Sequence, residues 1–235
     1  MTGSIRLYVD APLEANGSIT LAAGQAHYLG TVMRRGAGDP VTLFNGRDGE
    51  FSARISTIRK DRAELRIEHL LRPQVAEPDL WLLFSLLKRD ATDLVVQKAT
   101  ELGVSGLHPI MTERSNTHRM NAARLRAIAV EAAEQCKRLT IPHLAPPRRL
   151  LDVLAEWPAE RRLFAALERT TAPRLSSASW PTALLIGPEG GFTPSELEAL
   201  QAHPLVTAVS LGPRVLRADT ACIAGLALLQ GGHCA

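Results

Sequence analysis

Two short apolar runs in the last third of the chain each break at a Gly-Pro pair, and this repeated junction restricts the fold more than any other feature. The first reads Leu184-Leu185-Ile186-Gly187-Pro188-Glu189-Gly190-Gly191-Phe192-Thr193-Pro194-Ser195-Glu196; the second reads Leu211-Gly212-Pro213-Arg214-Val215-Leu216-Arg217-Ala218-Asp219-Thr220-Ala221. A short apolar run reads as a buried strand, and at the glycines and prolines that end it the backbone, not the side chains, must line the surface. In the first copy Gly190 and Gly191 are free to take positive φ and leave room beside the backbone, while Pro188 stiffens the exit from the strand. Thr193 then reads as an N-cap, Pro194 as the first helical residue and Glu196 as the partner in a capping box, so a helix begins at once. Two strand ends of this kind are expected to wall one pocket. The second copy leads through Arg214, Arg217 and Asp219 into residues 221–229, apolar on every face. That stretch is too short to span a bilayer and suits a helix buried all round, in a core or at a subunit contact.

The rest of the chain falls into two patterns. Residues 1–72 read as mostly strand: 5–9, 41–45, 51–58 and 63–69 are β-rich or alternating, separated by Asn45-Gly46, Asp48-Gly49 and a charged turn at 59–62. A small barrel fits them. Pro73 and Pro78 interrupt this pattern and mark a boundary, giving expected domains of 1–72 and 73–235. Beyond it, Leu80-Trp81-Leu82-Leu83-Phe84-Ser85-Leu86-Leu87 is the continuous apolar run that a parallel strand covered on both faces requires. Helices are predicted at about 91–102 and 121–139, and strands at 107–110, 162–166, 183–186 and 206–211. This alternation defines an α/β layered domain, in which ligands collect beyond the C-terminal ends of the strands, where both Gly-Pro loops fall.

Of the 235 residues, 46% are hydrophobic and 22% charged, which suits a globular protein with an ample core. No run approaches eighteen apolar residues and the start has no signal-peptide core, so a cytoplasmic protein with no membrane partner is expected. Cys136, Cys222 and Cys234 form no Cys-x-x-Cys, and the histidines show no paired ligand spacing, so neither a disulfide framework nor a metal is expected. Cys136 and Cys222 lie in apolar helical runs and are expected to be buried. The net charge is only +3, but the basic excess gathers in residues 1–72 and 113–149. Within the second block, a helix with Leu125, Ile128, Ala129, Ala132 and Cys136 on one face carries Arg124, Arg126, Lys137 and Arg138 largely elsewhere. Such clustering points to a polyanion, and nucleic acid is the usual one. No Gly-x-Gly-x-x-Gly follows a strand and no Gly-x-Ser-x-Gly is present, which removes support for a Rossmann site and for a serine hydrolase.

The pairing of Gly187-Pro188-Glu189-Gly190-Gly191-Phe192 with Leu211-Gly212-Pro213-Arg214-Val215-Leu216-Arg217 resembles the small-subunit (16S) ribosomal RNA uridine-N3 methyltransferases of the SPOUT superfamily. Weaker likeness runs through His27, Val32-Met33-Arg34, Gly38-Asp39, Lys98-Ala99-Thr100-Glu101-Leu102-Gly103-Val104, Thr112-Glu113-Arg114-Ser115 and Glu134-Gln135-Cys136-Lys137-Arg138, so the resemblance covers nearly the full chain. Two departures stand out: Asp219-Thr220-Ala221 where the family usually has Glu-Thr-Ala, and Cys136-Lys137 where it has a small pair. The resemblance implies an N-terminal PUA-like or OB-like RNA-binding β-barrel and a SPOUT α/β domain with a C-terminal trefoil knot. It further implies S-adenosylmethionine as cofactor, a homodimer, and small-subunit ribosomal RNA or the 30S particle as partner. Ile186, Gly187, Pro188, Glu189, Gly190, Gly191, Leu211, Gly212 and Leu216 would hold the cofactor; His27, Arg34, Arg35, Lys88, Arg114 and Arg138 would contact RNA.

The chemistry assigns the remaining roles. Uracil N3 carries a proton at neutral pH, and once it is lost the charge spreads to the flanking carbonyl oxygens, so something cationic must face them. Arg214 or Arg217 is suited to this, with Asp219 or Glu189 orienting an arginine or taking the proton. Two other functions fit the same residues: a SPOUT enzyme acting on a ribose 2′-oxygen, and a non-catalytic RNA-binding or ribosome-assembly protein of the same fold.

Overall fold

A computed structural model describes residues 5–115, 120–167 and 172–231. Cys234 and the first four residues, on which two of the expectations above rest, lie outside them. The chain divides into two compact units, one comprising Met1–Ala76 with Ala133–Thr140 and the other Glu77–Ala132 with Ile141–Ala235.

In the first unit, β1 (Ile5–Tyr8), β2 (Ser18–Leu21), β3 (Pro40–Phe44), β4 (Glu50–Ile58) and β5 (Ala63–Arg72) pair in the order β1-β3-β4-β5-β2. Only β1 and β3 run parallel, and β1 and β2 are the two ends of the pairing path. Alternation along the strands puts Leu7, Leu21, Leu43, Ile55, Leu65 and Ile67 into one core. Helix α1 (Ala23–His27) runs into a π-helical turn at Tyr28–Val32 and adds Ala26 and Leu29 to that core. The turn stops at Arg34, whose φ of 53° is left-handed, and the Arg35 N–H donates to Leu29 O.

Residues 133–140 join this unit through buried charge. Glu50, 7% exposed, accepts from Arg6 Nε at 2.5 Å and from Arg72 Nε at 2.6 Å. The two guanidiniums reach on to the carbonyls of Ala133, Arg138 and Lys137, and Glu134 Oε1 accepts from the Tyr8 N–H. Burial alone raises the Glu50 carboxyl, but the hydrogen bonds from Arg72 and Arg6 outweigh it and hold it below the usual carboxylate range. The Ala133 carbonyl in the last turn of a helix, and those of Lys137 and Arg138 just beyond it, are thereby satisfied.

The second unit is built on a seven-stranded parallel sheet. Its strands are β6 (Leu80–Ser85), β7 (Gly106–Met111), β8 (His143–Leu144), β9 (Arg148–Arg149), β10 (Arg162–Ala166), β11 (Thr182–Ile186) and β12 (Val206–Val209). The order is β12-β10-β11-β6-β7-β8, with β9 also on β7. Helices α2 (Arg89–Glu101) and α6 (Ala218–Gln230) help to bury Leu80, Leu82, Phe84, Leu184 and Ile186 on one face. On the other, Leu83, Ile110, Leu163 and Leu185 form a second core with α4 (Leu150–Ala155) and α5 (Pro194–Ala202). Alternate residues of β6 and β11 thus serve two cores, which is why those strands are apolar except for Ser85 and Thr182 at their ends. Gly225 permits close packing of α6, since a Cβ there would lie 2.6 Å from Leu184 Cδ2. Toward the strand starts Trp81 stacks on His108 at 4.2 Å and takes the Arg161 guanidinium 3.6 Å from its ring centroid. Burial, with help from the charges of His143 and Arg161, lowers the His108 pKa to about 4.

Several expectations are corrected. Helix α3 (Ala122–Cys136) ends three residues before the predicted 139, because Lys137 takes a left-handed φ of 62°. Cys136 is exposed, because Leu125, Ala129 and Ala132 are followed on the buried side by Ala133. Helix α6 begins at Ala218 instead of 221, and its face is not apolar contact all round: Leu228 is 42% exposed. Strand β2, helix α4 and the place of residues 133–140 in the first unit were not predicted. Among the described residues no helix is long and apolar enough to cross a membrane, and no group of three His, Cys, Asp or Glu is placed to hold a metal ion.

Candidate active site

Both Gly-Pro loops lie at the C-terminal edge of the parallel sheet, after β11 and β12, flanking the end of β10. The β11 loop is held from within. Gly191, φ 68°, closes a turn by donating to Pro188 O at 2.9 Å, and a Cβ on Gly187 would stand 2.8 Å from the Phe192 ring. The capping box forms as the sequence predicts: Thr193 Oγ1 accepts from the Glu196 N–H and Glu196 Oε2 from the Thr193 N–H. Glu189 and Gly190 of this loop are exposed. In the β12 loop Gly212, φ 131°, is fixed by Ser210 Oγ, which accepts from its N–H and donates to its carbonyl. Leu211 and Leu216 pack against the sheet's core.

The N–H groups of Glu189, Gly190, Val215 and Leu216 donate to no described residue. Open backbone donors beside glycines fit a flat heterocycle and a carboxylate held against main chain, the donor pattern that S-adenosylmethionine needs. Arg214 and Arg217 are exposed, and their side chains make no hydrogen bond or ion pair with a described residue, so two guanidiniums without a partner among the described residues stand at this edge. Arg217 is the N-cap residue of α6. Asp219 does not orient either arginine. Its Oδ1 accepts from the Thr220 N–H and hydroxyl, in the first turn of the helix, where a negative charge is favoured.

The expected RNA contacts divide. His27, Arg34 and Lys88 are exposed and Arg35 is half-buried, while Arg138 is corrected: it is 8% exposed and its Nε donates to Thr140 Oγ1, so it is withdrawn from any phosphate. Arg114 projects onto the β11 loop, donating from Nη1 to Gly190 O at 2.9 Å. Sequence reasoning missed Arg174, whose Nη2 lies 3.8 Å from where a Gly212 Cβ would be, on a segment that bridges Ser210 in parallel. Only a long-range pairing brings it there. It also missed the second role of Glu196, whose Oε1 accepts from the Glu113 N–H. A cavity of about 360 Å³ lies beside these residues, lined by Met111, Thr112, Glu113, Arg149, Leu150, Leu151 and Glu196; none of its lining belongs to the two Gly-Pro loops.

A parallel α/β sheet with backbone-lined loops and free guanidiniums at one edge, carried on a chain with a small β-rich unit, defines a class: the RNA methyltransferases. A family model described as RNA methyltransferase domain matches residues 75–230, and one described as RNA methyltransferase PUA domain matches 21–68. The chain belongs to the ribosomal RNA small subunit methyltransferase E family. It is 34% identical to the protein of that name from Rickettsia conorii, over 97% of both chains. Among solved structures it resembles a putative methyltransferase from Legionella pneumophila in complex with bound cofactor SAM, with a TM-score of 0.88 and 30% identity over 98% of each chain. It also resembles ribosomal RNA small subunit methyltransferase E from Neisseria gonorrhoeae bound to S-adenosyl methionine, at 0.85 and 28% over 97% of each.

Proposed function

We propose that this enzyme methylates N3 of one uridine in small-subunit ribosomal RNA, with S-adenosylmethionine held between the two Gly-Pro loops. The observation that carries the reading is the pair of free guanidiniums, Arg214 and Arg217, on the loop after β12 in a chain of this family. When bound, the cofactor supplies a methyl group on a sulfonium, open to in-line attack by a nitrogen. The chain's own residues hold and neutralise. Ile186 through Gly191, with Leu211, Gly212 and Leu216, fix the position from which the methyl leaves, and such positioning accounts for much of the acceleration. Arg217, or Arg214 beside it, faces the uracil carbonyl oxygens as N3 loses its proton, stabilising charge where it develops. Glu189, exposed on the first loop, is the carboxylate free to take that proton, since Asp219 is engaged with Thr220.

The target base must leave its stack to reach the site, with His27, Arg34 and Arg35 on the PUA-like unit and Lys88 on the sheet edge gripping phosphates. We further infer the trefoil knot and a homodimer. The chain leaves β12 at the sheet's end, and α6 then returns to pack on α2 and β11, the path a threaded chain would take. Leu228 on α6 and Leu94 on α2 are exposed, which suits an apolar contact between two copies. Sedimentation at micromolar concentration is expected to give twice the 25.5 kDa chain mass; a monomer refutes the dimer. For the activity, the enzyme is incubated with S-adenosylmethionine and small subunits from cells lacking it, and the RNA is mapped by mass spectrometry. One new methyl on a uracil ring is expected. A methyl on a ribose would make this a 2′-oxygen enzyme, and no methyl under any condition would leave an RNA-binding protein.

A further inference from the structure

Arg114, just past the end of β7, is exposed and lays its side chain across the β11 loop. Its Nη1 donates to Gly190 O at 2.9 Å and, at a longer 3.4 Å, to Phe192 O. Its Cβ and Cδ pass within 3.5 and 3.6 Å of where a Gly190 Cβ would stand, ordinary contact distances. The same two loops are tied in the opposite direction by Glu196. That carboxylate is 2% exposed, and its oxygens accept separately, Oε1 from the Glu113 N–H at 3.0 Å and Oε2 from the Thr193 N–H at 2.9 Å. Ser115 anchors the β7 loop to the sheet, its Oγ meeting Ser85 Oγ at 2.8 Å and accepting from the Thr112 N–H. An arginine at a surface loop has no need of main-chain carbonyls, which water serves equally well. Its use here fixes Gly190, in the loop proposed to hold the cofactor, from outside that loop.

We propose that Arg114 is a positioning residue for cofactor binding: it latches the Gly190 and Phe192 carbonyls, and with Glu196 it makes the β7 and β11 loops one rigid wall of the site. This rests on the reading of the β11 loop as the cofactor site. A planar guanidinium suits the task because it presents several donors in fixed directions, so two nearby carbonyls can share one Nη. Without the latch the unbound loop samples more conformations, and binding must restrict them.

The test uses the full-length enzyme and calorimetry with S-adenosylmethionine. Arg114→Ala is expected to weaken cofactor binding about tenfold, the scale of one lost hydrogen bond to a charged group. KM for the cofactor should rise while kcat falls far less, and affinity for small-subunit RNA and its salt slope should hold. Arg114→Lys should recover part of the loss, one ammonium reaching one carbonyl, and it carries the test if the alanine variant does not fold. The inference is overturned if cofactor affinity holds while RNA binding weakens and its salt slope drops by about one, which marks a phosphate contact. Gly191→Val separates the two readings, since it strains a left-handed residue of the loop where no atom crowds a Cβ. If that variant also leaves cofactor binding unchanged, the loop is not the site. If it abolishes binding while Arg114→Ala does not, only the latch is wrong.

Discussion

A side chain with no partner among the described residues is available for work, and Arg217 is the clearest instance here. Replacing it with Ala should lower single-turnover rate at saturating RNA by roughly a hundredfold, the scale for one lost donor to a developing anion, with cofactor affinity little changed. If excess RNA restores the normal rate, Arg217 is a binding contact only. His108 is the opposite instance, a group confined by its partners. Its pKa, lowered from 6.5 to about 4, means that the unfolded chain takes up a proton before the folded one does as pH falls. Its contribution is therefore complete above about pH 6.5 and declines toward pH 4, by up to about 3 kcal/mol. Denaturant titrations from pH 7 to 4 should show a shallower decline in His108→Gln than in the parent.

At the level of elements, what was readable depended on how local the cause was. The start of α5 was legible because Thr193, Pro194 and Glu196 carry the whole capping box within four residues. The apolar β6 and β11 were legible because a strand serving two cores is apolar on both faces along its central residues, 80–84 and 183–186. The end of α3 was not, since Lys137 occupies a left-handed site where glycine is the usual signal. Lys137→Gly should stabilise the protein by roughly 0.5–1 kcal/mol in a denaturant titration. Nor could the sequence show that Arg138 is buried, because its burial follows from strands far away in the chain. The same holds for Arg114 and Glu196, whose partners are main-chain atoms of other loops and leave no mark in composition.

At the scale of the whole molecule, the proposed function puts Arg34 and Arg35 in one unit and Arg217 in the other, so loss of grip and loss of chemistry should be separable. Replacing Arg34 and Arg35 together with Ala should weaken RNA binding and reduce its salt slope while leaving turnover at saturating RNA near normal; a turnover loss that excess RNA cannot repair would refute this division. The first unit also has an unusual composition, since its strands are complete at Arg72 while residues 133–140 arrive much later in the chain. This sets an order of events at the ribosome that makes the enzyme. The emerging β strands present Glu50 between Arg6 and Arg72 while the carbonyls those arginines will hold are still unsynthesised. The amino-terminal unit, whose apolar core lies within residues 5–67, is therefore expected to gain its last buried hydrogen bonds only after the first strands of the sheet have been made. Arrested nascent chains should show this directly, with protease resistance of the first seventy residues rising once residue 140 has cleared the exit tunnel and not at residue 76.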